Sequence, residues 1–290
     1  MKLLIVGGAG QVGKELVSRA PADWEILAVD RQQLDITDSA AVHRQVTGFG
    51  PDVIINAAAY TAVDRAESEQ ALAYAINRDG PAALAAAAAS TGAALLHIST
   101  DYVFPGDKAG TYQEDDQTGP TGVYGASKLA GEEAVAAACP RHIILRTAWV
   151  FGAHGNNFVK TMIRLARDRD QLSVVSDQLG SPTYAGDIAD TLLAIAGRVA
   201  GKPDAPWGVY HYSGAPYTCW SDFAGALLDQ AVAAGIIAAK PRINPITTAE
   251  YPTPAQRPAN SRLDCRKIEA AFGIAPSDWQ AALRDITRYA

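Results

Sequence analysis

Tyr124 and Lys128 stand four residues apart in the stretch T-G-V-Y-G-A-S-K at residues 121–128. On a helix that spacing puts both side chains on one face. A free phenol has a pKa of roughly 10, and a nearby ammonium favours the phenolate, which makes the proton easier to transfer near neutral pH. By itself such a pair reads by default as a snorkelling lysine beside a half-buried tyrosine. A third residue argues for chemistry. Thr100 closes the run His97-Ile98-Ser99-Thr100 at the end of a predicted strand, the place where open α/β sheets bind ligands. A short hydroxyl on so rigid an element can hydrogen-bond the oxygen of a reacting carbonyl.

A second group of residues fits a dinucleotide. Gly7, Gly10 and Gly13 follow the first apolar run at once and precede a helical run, K-E-L-V-S-R-A, in the spacing G-x-x-G-x-x-G, with Gln11 and Val12 between them. Glycine is needed where a strand turns sharply into a helix and where backbone must approach a pyrophosphate; the helix N-terminus adds amide donors. Asp30 ends the second predicted strand, at the distance where an acidic residue meets an adenosine ribose. Arg31, beside it, could accept a 2′-phosphate, so NADH and NADPH both stay open. The blander reading is a glycine turn and an ordinary surface aspartate.

The elements that must position these groups repeat along the chain. Strands are predicted at about 2–7, 25–30, 53–58, 95–99, 143–148 and 173–175, with helices between them, including one from Ala71 to Ser90 and one that begins near Asp38. That alternation predicts an α/β fold, a Rossmann-like doubly wound parallel sheet with a smaller, interleaved C-terminal substrate lobe. The division expected is a dinucleotide-binding domain over 1–150, with a segment at about 176–200 returning to it, and a mainly substrate-binding lobe over 151–290. Frequent Pro and Gly from 201 to 216 and again from 241 to 258 mark the less regular part.

Composition excludes several classes. The chain has 290 residues, 48% hydrophobic and 19% charged, with a formal net charge of −6, which suits a globular protein and gives no basic field for nucleic acid. Cys139, Cys219 and Cys265 are odd in number and widely separated, suggesting neither a disulfide framework nor a zinc site and fitting a reducing cytoplasm. His43, His97, His142, His154 and His211 show no metal spacing. The opening M-K-L-L-I-V-G-G is too short an apolar run for a signal peptide or membrane span.

Taken together, G-x-x-G-x-x-G, Asn56-Ala57-Ala58-Ala59, S-T-D-Y-V-F and Y-x-x-x-K resemble the extended short-chain dehydrogenase/reductase superfamily. Narrower matches are similar to its dTDP-4-dehydrorhamnose reductase family: R-T-A-W-V-F-G from Arg146, Asn157-Phe158, D-Q-L-G-S-P-T from Asp177, and Arg257-Pro258 followed by Ser261, Leu263 and Asp264. The resemblance spans nearly the whole chain. It implies NAD(P)H-dependent reduction of a 4-keto nucleotide sugar to dTDP-L-rhamnose, a precursor of cell-surface polysaccharide. It also implies that Tyr124 is the proton donor, Lys128 its partner and Thr100 the binder of the carbonyl oxygen. Gly10, Gln11, Val12, Asp30, Asp35, Ile36, Ala58, Ala59 and Tyr60, with Tyr124 and Lys128, would line the dinucleotide site. Asp101 and Trp149 would meet the deoxysugar, with Asn157 at the substrate, and Arg257 is a candidate for the diphosphate.

Individual residues keep their other readings. Asp35 could merely hydrogen-bond the turn before the second helix, Trp149 could be core, and Arg257 could form a structural salt bridge. Members of the resembled family use Mg²⁺ at a subunit contact between acidic residues. Glu15 stands at a suitable place for it, while the C-terminal R-D-I-T-R-Y-A shows no evident acidic partner. The expected partners are a nucleotide-sugar substrate and, by resemblance alone, a second copy in a homodimer, with no nucleic acid and no membrane. Two rivals remain. Resembled 4,6-dehydratases carry an Asp-Glu pair after the threonine, where this chain reads Asp101-Tyr102; a non-catalytic regulatory subunit of the same fold would not need Thr100, Tyr124 and Lys128.

Overall fold

The computed structural model describes residues 1–289. Aliphatic runs build β1 (Lys2–Val6), β2 (Glu25–Val29), β3 (Val53–Asn56), β4 (Ala94–Thr100) and β5 (His142–Thr147). Leu3, Leu4, Ile5, Ile54 and Ile55 are wholly buried whichever way they point. A strand covered on both faces has to be apolar throughout, which is why these runs do not alternate. With an edge strand, Gly208–His211, they form one six-stranded parallel sheet in the order (208–211)-β5-β4-β3-β1-β2.

Two layers cover it. On one face α1 (Gln11–Arg19) and the helix Ala185–Val199 join Leu3, Ile5, Leu96 and Leu145 in a core that includes Leu16, Ile188 and Leu192. On the other, α2 (Ser39–Phe49), the alanine-rich helix Gly80–Thr91 and the helix Val123–Ala138 enclose Leu4, Ile54, Val42 and Leu84. Asp38 caps α2 by accepting from Ala41 N at 2.9 Å, so that helix begins where its sequence signal stands.

Two expectations change. The segment predicted as one helix from Ala71 is a short helix, Gln70–Tyr74, a π turn, Ala75–Asp79, and then Gly80–Thr91. The strand expected at 173–175 lies in Gln171–Val175, which pairs with Arg242–Ile246 outside the main sheet. Only Leu172 and Val174 of its first four residues are buried, the alternation of a strand covered on one face. These two strands belong to a second core, where Phe151, Val159, Phe223, Leu227 and Trp279 meet. No helix among the described residues is long and apolar enough to cross a membrane.

Candidate active site

The glycine turn is dictated by space. A Cβ on Gly7, whose φ is +84°, would lie 2.6 Å from Ala58 N, and one on Gly13 would lie 2.1 Å from Gly7 O. Only glycine allows β1 to turn into α1 this tightly against the loop after β3. Gly10 precedes the first residue of α1, leaving that helix's free amides at the mouth of the turn. Gln11 Oε1 accepts from Asn157 Nδ2 at 3.0 Å, and Val12 points into the core, so these two offer the ligand mainly backbone.

Beside the turn lies a cleft of about 390 Å³ lined by Gly7, Gly10, Asp30, Arg31, Asp35, Ile36, Ala58, Ala59 and Tyr60 among others. Asp30 Oδ1 accepts from Gln32 N at 2.8 Å, closing its own turn. Asp35 Oδ1 accepts from Thr37 N and Thr37 Oγ1, and those bonds hold its carboxyl below the usual range. Asp35 therefore fills the turn-capping role while facing the cleft. Tyr60 donates to Glu69 Oε2 at 2.6 Å. A cleft of apolar walls, two carboxylates and a cradle that a Cβ would fill fits a dinucleotide.

Thr100 ends β4, and its hydroxyl donates to Asp101 Oδ1 at 2.9 Å while accepting from Tyr102 N at 3.2 Å. Asp101 is buried, which raises its pKa to about 6, and its Oδ2 has no hydrogen-bond partner. Tyr124 and Lys128 lie on the helix Val123–Ala138. Burial pushes the Tyr124 phenol up, opposed by Thr100 and reinforced by Asp101 and Tyr102. The same burial pulls Lys128 down to about 8, against the carboxylate of Glu132 one turn further on. Lys128 Nζ donates to Ile98 O at 2.7 Å. The lowering of the phenol by the ammonium, expected from the spacing alone, is not what dominates here: Lys128 is bonded to the β4 backbone, and burial governs both groups.

Tyr124 touches a wall of each of two clefts. It packs on the small cluster that contains Tyr60, and its ring meets that of Tyr102 edge-on at 5.4 Å. Tyr102, Trp149, Phe158, Trp220, Tyr251 and Arg257 line the second cleft, about 640 Å³. Arg257 Nη2 donates to Asp64 Oδ2 at 2.8 Å, while its Nη1 is buried without a partner. The structural salt bridge and a free donor thus coexist. Asn157 caps the helix Phe158–Ala166 and donates to Gln11 and Gly152, so its amide is spent at the glycine turn.

Several contributors carry no local sequence signal. Glu67 Oε1 accepts from Val123 N at 2.9 Å, a carboxylate at the N-terminus of the helix that bears Tyr124. Asn77, within the π turn, is wholly engaged: its Oδ1 accepts from Tyr60 N, and its Nδ2 donates to Tyr60 O and Ser127 Oγ. Trp220 stacks on Trp149 and lines the same second cleft.

Glu15, which the family resemblance places where some members hold Mg²⁺, is paired with a cation of its own chain. Arg19 donates to Glu15 Oε2 at 2.8 Å and to Asp190 Oδ2 at 2.7 Å. No group of three or more metal-binding side chains occurs among the described residues. Within the chain Arg19 sets one positive charge against the carboxylates of Glu15 and Asp190, and Glu15 Oε1 is left without a hydrogen-bond partner.

Comparison with known proteins adds a family. The model of the family described as RmlD substrate binding domain matches residues 1–289. A dTDP-4-dehydrorhamnose reductase of Aggregatibacter actinomycetemcomitans is 51% identical, covering 100% of this chain and 99% of its own length. One of Escherichia coli K12 is 44% identical over 98% and 96%. Among solved structures, a dTDP-4-dehydrorhamnose reductase from Clostridium acetobutylicum superposes with a TM-score of 0.91 at 40% identity, covering 98% of each chain. One from Bacillus anthracis, in complex with NADP, gives 0.90 at 36% identity over 99% and 98%.

Proposed function

The chain belongs to the RmlD substrate binding domain family, and on that premise we propose that it reduces the C4 keto group of dTDP-4-dehydro-6-deoxy-L-mannose, yielding dTDP-L-rhamnose. It is an NAD(P)H-dependent oxidoreductase. When bound, the reduced nicotinamide supplies the hydride. The observation that carries the residue roles is the position of Tyr124 between the two clefts, packed on the Tyr60 cluster on one side and on Tyr102 on the other, beside Thr100.

The chain's residues then divide the work. Gly7, Gly10 and Gly13 bring backbone up to the pyrophosphate, and Asp30, Asp35 and Ile36 hold the adenosine end. Asp30 would accept from both ribose hydroxyls of NADH but only from the 3′-hydroxyl of NADPH, whose 2′-phosphate suits Arg31 at the same cleft, and NADPH is the form we favour. In the second cleft the Trp149 ring offers a flat apolar face to the pyranose and Arg257 Nη1 donates to the diphosphate, while the unpartnered oxygen of Asp101, next to Thr100, accepts from a sugar hydroxyl. Thr100 turns its hydroxyl to the C4 oxygen, and Tyr124 gives that oxygen its proton as the hydride arrives. A phenol kept protonated by burial is suited to donate rather than to abstract. Lys128, when charged, stabilises the phenolate left behind. The same reading makes the chain a cytoplasmic enzyme and, by family likeness, a homodimer.

Incubating the protein with the keto sugar nucleotide and either NADPH or NADH, and following nicotinamide absorbance, tests the reading. Consumption of the reduced cofactor with formation of the rhamnosyl nucleotide is expected. A dehydratase or epimerase would leave no net cofactor change, and a regulatory subunit would show no turnover.

A further inference from the structure

His97 is wholly buried in β4, and its two ring nitrogens face different partners. Asn56 Nδ2 lies 3.0 Å from Nδ1, and Lys128 Nζ lies 3.4 Å from Nε2. The Asn56 amide fits one way round, because its Oδ1 accepts from Ala58 N at 3.1 Å and so turns the NH₂ toward the ring. An amide NH₂ only donates, which makes Nδ1 the acceptor. Burial, with the Lys128 ammonium beside it, holds His97 well below its ordinary range, so the ring is neutral. Its one proton is therefore on Nε2, aimed at Lys128. A neutral amine has a lone pair to receive that proton, and an ammonium has none.

We propose that His97 is a positioning residue for Lys128: locked by Asn56 in the Nε2–H tautomer, it biases the lysine toward its uncharged form and ties that bias to the cofactor loop at Ala58. The inference rests on the reductase reading, in which the charge on Lys128 matters to the proton donor. Other groups facing Lys128 divide into two camps. Ile98 O and the carboxylate of Glu132 favour the ammonium, although Glu132 is itself neutralised by Arg146 of β5 at 2.7 Å. Burial and the His97 proton oppose it. Tyr124 on the same helix, with Thr100 and Asp101 at the end of β4, completes the titratable and polar surroundings. Burial alone, opposed by Glu132, pulls Lys128 down to about 8, and the His97 proton acts in the same direction. Because the Ala58 peptide that fixes the Asn56 amide also abuts Gly7, a shift of the dinucleotide turn is felt at Nε2.

The test reads the tautomer and then reverses it. In cofactor-free protein labelled with ¹⁵N-histidine, two-bond ¹H–¹⁵N correlation spectra report the state of each ring, with His97 assigned by the signal lost in His97→Gln. A neutral Nε2–H ring from about pH 5 to pH 9 is expected; an Nδ1–H ring or an imidazolium in that range overturns the proposal. Asn56→Asp places an acceptor where the NH₂ stood and keeps the bond to Ala58 N. It should turn the ring to Nδ1–H, offer its Nε2 lone pair to the ammonium, and raise by about one unit the pH above which turnover falls. A reversed ring with an unmoved pH profile also overturns the proposal. If Asn56→Asp does not fold, the unsubstituted protein's spectrum decides alone. The spectra need no substrate, so failure of the reductase reading would show separately, as unsubstituted protein that does not turn over the keto sugar.

Discussion

Trp149 and Trp220 stack with ring centroids 3.6 Å apart and planes 12° from parallel. Trp149 takes a backbone φ of +47°, in the left-handed region that a bulky residue rarely enters. Such strain costs on the order of 1–3 kcal/mol and persists where the surroundings over-determine it. Here they do: the Trp220 ring covers one face, and Trp220 Nε1 donates to Gln178 Oε1, whose amide in turn donates to Thr248 Oγ1. The Trp149 ring, the face proposed for the sugar, is therefore held from outside the main sheet.

Trp220→Ala should release Trp149 without touching the cofactor cleft. Steady-state kinetics should show KM for the sugar nucleotide rising about tenfold, the loss of one aromatic packing partner, with KM for NADPH unchanged. An equal rise in both would place Trp220 in general stability.

Glu67→Ala removes the side-chain carboxylate bonded to the first amide of the helix that carries Tyr124 and Lys128. Loss of a cap of this kind costs about 1 kcal/mol, readable as a lower urea midpoint. Because the helix positions the proton donor, kcat should fall more than KM rises.

Lys128 gives a pH dependence with a definite sign. Its folded pKa of about 8 lies below its ordinary value. Between the two, the unfolded chain holds a proton that the folded protein has released, so this group's contribution to stability rises with pH from about 8 to about 10. Below pH 8 the folded protein carries the full cost of the buried charge. Lys128→Met should be inactive, more stable by about 1–3 kcal/mol at pH 7, and close to the unsubstituted protein at pH 10. Urea titrations at the two pH values measure the gap.

Removal of divalent metal should leave turnover unchanged. Arg19 already bridges Glu15 and Asp190, so dialysis against EDTA followed by the absorbance assay should give the original rate within about twofold. Arg19→Ala would instead leave Glu15, 2% exposed, without its cation and should destabilise the fold by about 3 kcal/mol.

Much of the scaffold was readable because it is local. Strands buried on both faces must be apolar runs, and a strand-to-helix turn over a phosphate must be glycine, so β1 to β5 and Gly7 to Gly13 announce themselves. The edge strand Gly208–His211 did not, being four residues long inside a segment punctuated by Pro and Gly. The π turn at Ala75–Asp79 hides within an alanine-rich pattern that reads as unbroken helix. Glu67, Asn77 and Trp220 act through partners 56, 50 and 71 positions away in sequence, and no periodicity records such a contact. Tyr124 and Lys128 were legible as a pair. Their electrostatics were not, since burial and the backbone bond to Ile98 belong to the folded sheet.

Tyr124 is the proposed proton donor. Replacing it by phenylalanine keeps the ring against Tyr102 and removes only the hydroxyl. Nicotinamide absorbance followed with saturating keto sugar nucleotide and NADPH should show kcat reduced by about 10²–10⁴, with NADPH affinity by fluorescence titration unchanged. A Tyr124→Phe protein that turns over within about threefold of the unsubstituted rate would contradict the assignment.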